Sequence, residues 1–479
     1  QIFSCCFYGF YITAISIILQ AIRMNFFRYH KHLSFRLIML STVCISLNLK
    51  AQTTISLDKT IEQAIENDDW FNQSKLQQNA LLAQSEGADS AENTLFSLQM
   101  VNLPTDGFAL DQEPMTQLKL GVSQQFSRGD SRAIKQNQLS TLASRFPYQR
   151  QDRAAQVTLT ASKLYLNAYR AQQNISLLES DRNLLEQLSG NVNASYASGL
   201  GNTKQQDLVG AELAISKLDD QLIRLRADKY SALSRLLQWT AIDKGIESAY
   251  QTPESVILKT PIIAELSAQT VNLLAPSNFQ LLMTQLADHP AVMSLEQKVQ
   301  AGIQAIDLAE QDYAPQWGVN ASYAYRADDP IGTNRADFFS VGVTLSLPLF
   351  NQTKLDSDVK SARLLAEANK TEKRLLMRDM YSQISASYNQ LKQAKKRLDL
   401  YQNQIIKQMH QQTQASLNAY TNNKGEFADV MRAQIEESNA RIEEINIAVA
   451  KMRLLTELNY FFPATQHHQY SFHKEALSR

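Results

Sequence analysis

Chemistry in a protein needs histidine, cysteine, carboxylate or hydroxyl groups held at fixed spacings. The seven histidines are His30, His32, His289, His410, His467, His468 and His473. His467, His468 and His473 cluster near the end of the chain, which suits a metal-binding tract and equally a solvated tail. The three cysteines, Cys5, Cys6 and Cys44, all fall ahead of Ala51. Gly199, Gly201 and Lys204 lie close together but lack the glycine spacing and preceding strand of a phosphate loop. The acidic pairs at 436–437 and 443–444 read as solvated faces of a coiled coil. No catalytic set, cofactor site or metal site emerges, so the expectation is a non-enzyme with no cofactor.

The chain has 479 residues, with 47 Lys+Arg against 47 Asp+Glu. That balance offers no argument for a nucleic-acid partner. An apolar fraction of 44% and a mean hydropathy of −0.30 exclude a protein of many membrane helices. Fifteen Gly and eleven Pro are few for this length, which points to long helices. The stretch from Met24 reads as a secretory signal: Arg28, Lys31 and Arg36 come first, then an apolar run from Leu37 to Leu49, then Ala51 as the cleavage residue. The rival reading of the beginning is an uncharged membrane anchor from Ile2 to Ile22. Cleavage after Ala51 removes Arg23, Arg28, Lys31, Arg36 and Lys50 and no acidic residue, leaving a mildly acidic chain free of cysteine. Stability must then come from packing.

Two segments of one style recur, one in each half of the chain. Asp207, Leu208, Ala211 and Leu213 match Asp429, Val430, Ala433 and Ile435 at a constant offset. Each half repeats the order helix, two strands, long helix, turn, long helix. The boundaries are 1–51 for the upstream extension and signal, 52–240 for the first repeat, 241–278 for a linker or equatorial segment, 279–462 for the second repeat and 463–479 for the tail. From Leu349 to Lys424 the chain contains neither Gly nor Pro. A helix of that length needs a coiled-coil explanation. Leu208, Ala211, Ile215, Leu218, Leu222, Leu225, Lys229, Ala232 and Leu236 alternate steps of three and four, and so do Met431, Ile435, Ser438, Ile442, Ile445, Val449 and Met452. Both are narrow seams for a partner helix, which an ordinary antiparallel coiled coil would also satisfy.

Four short stretches break the helical period. In 338–350, Val341, Val343, Leu345 and Leu347 oppose Ser340, Gly342, Thr344 and Ser346. In 316–326, Trp317, Val319 and Tyr323 oppose Gly318, Asn320 and Ser322. In 117–126, Leu118, Leu120 and Val122 oppose Lys119, Gly121 and Ser123; a fourth stretch at 95–103 is less regular. Alternation over about ten residues fits a transmembrane strand. A half-buried sheet in a soluble protein alternates in the same way. Four strands cannot close a barrel alone, so the membrane reading requires several chains, and three would supply twelve strands.

The element order, the repeat and the segment FFSVGVTLSLPLFNQTKLDSDVKSARLLAEA together resemble the TolC family of outer-membrane efflux proteins. His289-Pro290, the Tyr313-Ala-Pro315 run and SQQFSRGDSRA at 123–133 add to the likeness, although the first-half exit lacks the proline found at Pro348. The resemblance covers about 55–462. It implies a mainly α chain with a small β part, whose homotrimer forms a twelve-stranded barrel in outer-membrane lipid and an α-helical barrel in the periplasm. It further implies an exit duct for a tripartite pump, with a periplasmic adaptor and an inner-membrane transporter of the RND type as partners. Asp207, Tyr420, Asp429 and Arg432 occupy positions matching family gate residues. Gly199, Gly201, Asn202, Asn423 and Gly425 would form the periplasmic tip turns that meet the adaptor. A Tyr–Asp hydrogen bond would serve as a latch; Asp207 and Asp429 equally suit the capping of the returning helices. The exit SQQFSRGD resembles relatives that serve cation pumps, with drug and protein cargo open alongside. A periplasmic coiled-coil scaffold with a soluble β-domain is the rival reading.

Overall fold

Helix dominates wherever glycine and proline are scarce, and strand appears where side chains alternate. The structure, a computed structural model, describes residues 53–198, 204–240, 256–422 and 424–462. The expected signal, the tail and the tip positions Gly199, Gly201, Asn202 and Asn423 lie outside the described residues. In chain order the elements are β1 (Thr53–Ile55), α1 (Leu57–Glu66), α2 (Trp70–Ala88), β2 (Leu95–Val101), β3 (Gln117–Gln125), α3 (Ser131–Ala143), α4 (Arg145–Ser198) and α5 (Gln205–Thr240). Then come β4 (Val256–Leu258), α6 (Ala268–Leu273), α7 (Phe279–Ala287), α8 (Pro290–Glu310), β5 (Gln316–Tyr325) and β6 (Phe338–Ser346). The last are α9 (Gln352–Leu400), a π turn at Tyr401–Ile405, α10 (Ile406–Thr421) and α11 (Phe427–Phe461). The repeated order is present in both halves.

The 54 residues of α4 extend about 80 Å at 1.5 Å per residue. In the second half α9, the π turn and α10 make one longer rod, and the π turn inserts an extra residue that re-aims the seam. In the first half the rod breaks at Ser144, whose hydroxyl is 2.9 Å from Oε1 of Gln297 on α8. Among the described residues no helix is long and apolar enough to cross a membrane.

The first seam packs as its spacing predicts. Ala211, Leu218, Leu222, Ala232 and Leu236 are buried where α5 lies along α4. Lys229 occupies a seam position because its ammonium donates to the carbonyl of Val256 at 2.8 Å. The second seam needs correcting. Ile435 is exposed, whereas Val430, Ala433, Glu437, Ala440 and Ile447 are buried together with Met431, Ser438 and Val449. The reason is that α11 packs on α4 with one face and on α9 and α10 with another, so a single 3.5-residue stripe is too narrow for it. The 436–437 pair is also not wholly solvated. Glu437 is 4% exposed and accepts from Arg441 at 2.7 Å and His410 at 3.1 Å. Burial pushes its carboxyl up, but the bonds from Arg441, Thr413 and His410 outweigh that and hold it below the ordinary range.

Three apolar clusters hold the rods together. One unites α1, α4, α5 and the small β1–β4 sheet around Tyr165 and Leu236. Tyr165 binds that sheet by donating towards the carbonyls of Ile55 and Lys259, at 2.9 and 2.7 Å. A second joins α7, α8, α9 and α11 through Leu286, Ile384 and Leu458. A third packs Leu185 and Val192 of α4, Ala211 of α5 and Phe427 of α11.

His289 caps α8 and ties it to α11. Its Nδ1 accepts from the Ala291 amide at 3.2 Å, so Nε2 carries the proton and donates to the carbonyl of Tyr460 at 3.1 Å. Burial holds its pKa below the ordinary 6.5. The unfolded chain therefore binds a proton before the folded one does, and stability falls as pH drops below about 6.5. Burial pushes the Asp152 carboxyl up, so its proton uptake opposes this loss only lower, near the carboxylate range. Thermal unfolding followed against pH should show the loss in the native chain and its absence in His289→Asn, which keeps an acceptor at the cap and cannot titrate.

Candidate functional site

The four-stranded sheet runs in the order β2–β3–β5–β6, all pairs antiparallel. Its register sorts side chains into continuous rows. Leu98, Leu120, Tyr323 and Phe339 make one row, and Phe96, Val122, Ala321 and Val341 make the next. The opposite face carries Ser97, Gly121, Ser322 and Ser340 in one row. A β-carbon at Gly121 would stand 2.6 Å from the Ser97 hydroxyl, which would have to turn away.

The apolar face is the uncovered one. Val341 and Val343 are 71% and 67% exposed, and Leu118, Leu120, Trp317, Val319, Tyr323, Leu345 and Leu347 are exposed with them. On the polar face Ser322 and Ala324 are buried. A half-buried sheet of a soluble domain would show the reverse, with its apolar rows under a helical layer. An apolar surface spread over four strands and left open marks a membrane or partner surface. The ladder stops at Ser346, just before Leu347, and Pro348 follows with no amide hydrogen to extend it. The first-half exit uses a different device. Gly129 takes φ +45° against Gln311, while Arg128 donates to the carbonyl of Ala314 at 2.8 Å.

At the far end of the strands two arginines tie the hairpin loops together. Arg335 donates to the carbonyls of Asp111 and Glu113, at 3.2 and 3.3 Å. Arg326 donates to that of Pro114 at 3.2 Å and lies 4.2 Å above the Phe338 ring. Nothing in the one-dimensional pattern marks the bonds between the loops, because their acceptors are backbone carbonyls in the other half of the chain.

The opposite end of the molecule holds the gate candidates. Asp207 is the third residue of α5 and accepts from the Lys204 amide at 2.8 Å, which is a helix cap. Asp429 is the third residue of α11, but its carboxylate faces Arg432 at 3.3 Å. Tyr420, at the end of α10, packs its ring on Phe427 with centroids 5.6 Å apart. Asp207 and Arg432 line one groove of about 510 Å³ between α5 and α11, with Phe427 and Met431 in its floor. Gly425 lies against α10, where a β-carbon would stand 3.0 Å from that of Ala419. Lys204 and Glu426 meet at 3.1 Å across the two turns. Their separation along the chain equals the repeat offset between Asp207 and Asp429, and both immediately precede a returning helix. They are therefore each other's repeat equivalents. The matching offset and opposite charges were the available signal for this pair.

Among the described residues no group of three or more His, Cys, Asp or Glu could hold a metal ion. Residues 281–458 match the family described as Outer membrane efflux protein. No curated protein matches the chain. The fold is that of solved outer-membrane channels. CusC aligns at TM-score 0.67 and 12% identity, covering 85% of this chain and 91% of that one. CmeC of Campylobacter jejuni aligns at 0.66 and 13%, covering 85% of each chain. VceC of Vibrio cholerae aligns at 0.67 and 13%, covering 85% of this chain and 95% of that one. The second repeat thus matches the sequence model of the outer membrane efflux proteins, and the described structure has the fold of the solved outer-membrane channels.

Proposed function

We propose that three copies of this chain close one twelve-stranded barrel in outer-membrane lipid and continue it as a twelve-helix tunnel across the periplasm. The protein is an outer-membrane efflux channel with a periplasmic extension, and it catalyses no reaction. Channels of its family work as trimers in tripartite pumps. The observation that carries the trimer is the sheet itself. Its apolar face is open, and β2 and β6 are both edge strands with unpaired backbone groups. Lipid tolerates no such edge, so each β6 must pair with a neighbouring copy's β2. Cargo then passes without covalent change, and the energy comes from an inner-membrane transporter, of the RND type, joined through a periplasmic adaptor.

The tip would be the gate. Asp207, Tyr420, Asp429 and Arg432 stand around one end of the bundle, where polar contacts can hold neighbouring helix pairs together until the adaptor engages. The turn with Gly425 is the surface offered to the adaptor. The capping bond of Asp207 and the latch are compatible, since a carboxylate has capacity for more than one donor.

Two experiments separate these claims. Val343→Arg places a charge on the lipid face, at a cost of about 2–4 kcal/mol near the midplane. It should abolish heat-resistant trimers in the outer-membrane fraction, while Ser340→Arg on the polar face leaves them intact. A native chain recovered as a soluble periplasmic monomer would refute the barrel. For the gate, Asp207→Ala combined with Tyr420→Phe should raise single-channel conductance in planar bilayers. Conductance equal to that of the native channel sinks the latch and leaves Asp207 as a cap.

A further inference from the structure

We propose that Lys119, supported by Arg326, forms a cationic girdle on the lumen side of the barrel, which makes the duct favour anionic and uncharged solutes over cations. The inference rests on the barrel reading above and adds to it a substrate class.

The strands leave no other charge on that face. The polar-side positions are Leu95, Ser97, Gln99 and Val101 on β2, and Gln117, Lys119, Gly121, Ser123 and Gln125 on β3. On β5 and β6 they are Gln316, Gly318, Asn320, Ser322 and Ala324, and Phe338, Ser340, Gly342, Thr344 and Ser346. Lys119 is the one charged residue among them. Its row across the sheet reads Gln99, Lys119, Ala324, Phe338, so no carboxylate stands beside it. Among the described residues its ammonium forms no ion pair.

Arg326 extends the same face by one step beyond Ala324. Its guanidinium is held over Phe338, a member of the Lys119 row, and donates only to carbonyls, those of Ala336 and Pro114. The carboxylate just ahead of β6, Asp337, falls on the other parity. It accepts from the phenol of Tyr323, whose ring belongs to the apolar face, and from the backbone amide of Arg326 at 2.9 Å, so it offsets part of the Arg326 charge and leaves Lys119 as the main source of the field. The remaining nearby acids, Asp106, Asp111, Glu113, Asp328 and Asp329, sit in the loops beyond the strand ends, and Asp329 faces Arg335. Solutes meet those acids at the open mouth, but every solute must pass the wall. Three copies place three lysines and three arginines around one cross-section, where a low-dielectric wall strengthens their field.

The far end does not impose the opposite preference. Asp429 is paired with Arg432, and Asp207 is buried on the Lys204 amide. A duct built for metal cations would gain nothing from a belt of fixed positive charge in its wall. Organic anions, and amphiphiles without net charge, pass such a belt without a repulsive barrier.

The test is the reversal potential of the purified full-length channel in planar bilayers under a KCl gradient. The native channel should favour chloride. Lys119→Gln should lower the chloride-to-potassium permeability ratio by about threefold, and Lys119→Glu should make the channel favour potassium. Arg326→Gln should shift the ratio in the same direction by less, and Lys119→Arg should leave it unchanged. A native channel that favours potassium, or a Lys119→Glu channel with an unaltered reversal potential, overturns the girdle. Absence of any conductance from the native protein would instead overturn the barrel reading, so the two failures are distinct.

Discussion

A backbone amide in hydrocarbon finds no water, and the rest of this molecule follows from that requirement. Strand groups in the interior of the sheet are paired across β2–β3–β5–β6, yet the two outer strands carry groups with no partner among the described residues. A soluble protein would hide such edges or cover the apolar rows with helices. Here both are left open, and only closure with further copies satisfies them. In the proposed trimer the folded chain is a third of a wall. The long helices inherit this geometry, because each strand pair must be fed and drained on the periplasmic side by rods that stay in register with their neighbours.

The two halves meet that demand by different local means. Pro348 ends the second hairpin by lacking an amide hydrogen, whereas Gly129 ends the first by adopting a left-handed conformation with Arg128 bound to Ala314. One long rod breaks at Ser144, whereas the other runs on and carries a π turn at Tyr401–Ile405. The repeat is strictest at the tip, where Lys204 and Glu426 face one another across the internal symmetry. A pair of equivalent positions can meet only near the axis relating them, so this contact marks where the two helix hairpins are joined.

Charge is handled by pairing within the helical body and by omission in the wall. Glu437 is buried against Arg441 and His410, and Lys229 is buried on a carbonyl. Long side chains on the rods form many exposed ion pairs, each worth little alone. The polar side of the sheet is instead built largely from Ser, Thr, Asn, Gln and Gly, groups that line a passage without gripping what moves through it. That is the composition expected of a conduit, in which tight binding would slow release.

Much of this was legible in the amino-acid order. The four alternating stretches became strands at the expected places, since a period of two depends only on neighbouring residues. The α5 seam packed as spaced, because that helix leans mainly on one partner, and the internal repeat aligned Asp207 with Asp429, each the third residue of a returning helix. The second seam misled because α11 serves two partners, and no single stripe encodes that. The caps and clamps were hidden for a related reason: His289 on Tyr460, Arg326 on Pro114 and Arg335 on Asp111 all bind backbone carbonyls that any residue would supply. By itself, then, the sequence determined the local periods, the order of the elements and which side chains share a face. Only the tertiary structure decided that the apolar face stays uncovered and that Lys119 stands among neutral neighbours, because exposure and charge environment depend on which strands and rods pack together, and that is a property of the assembled chain.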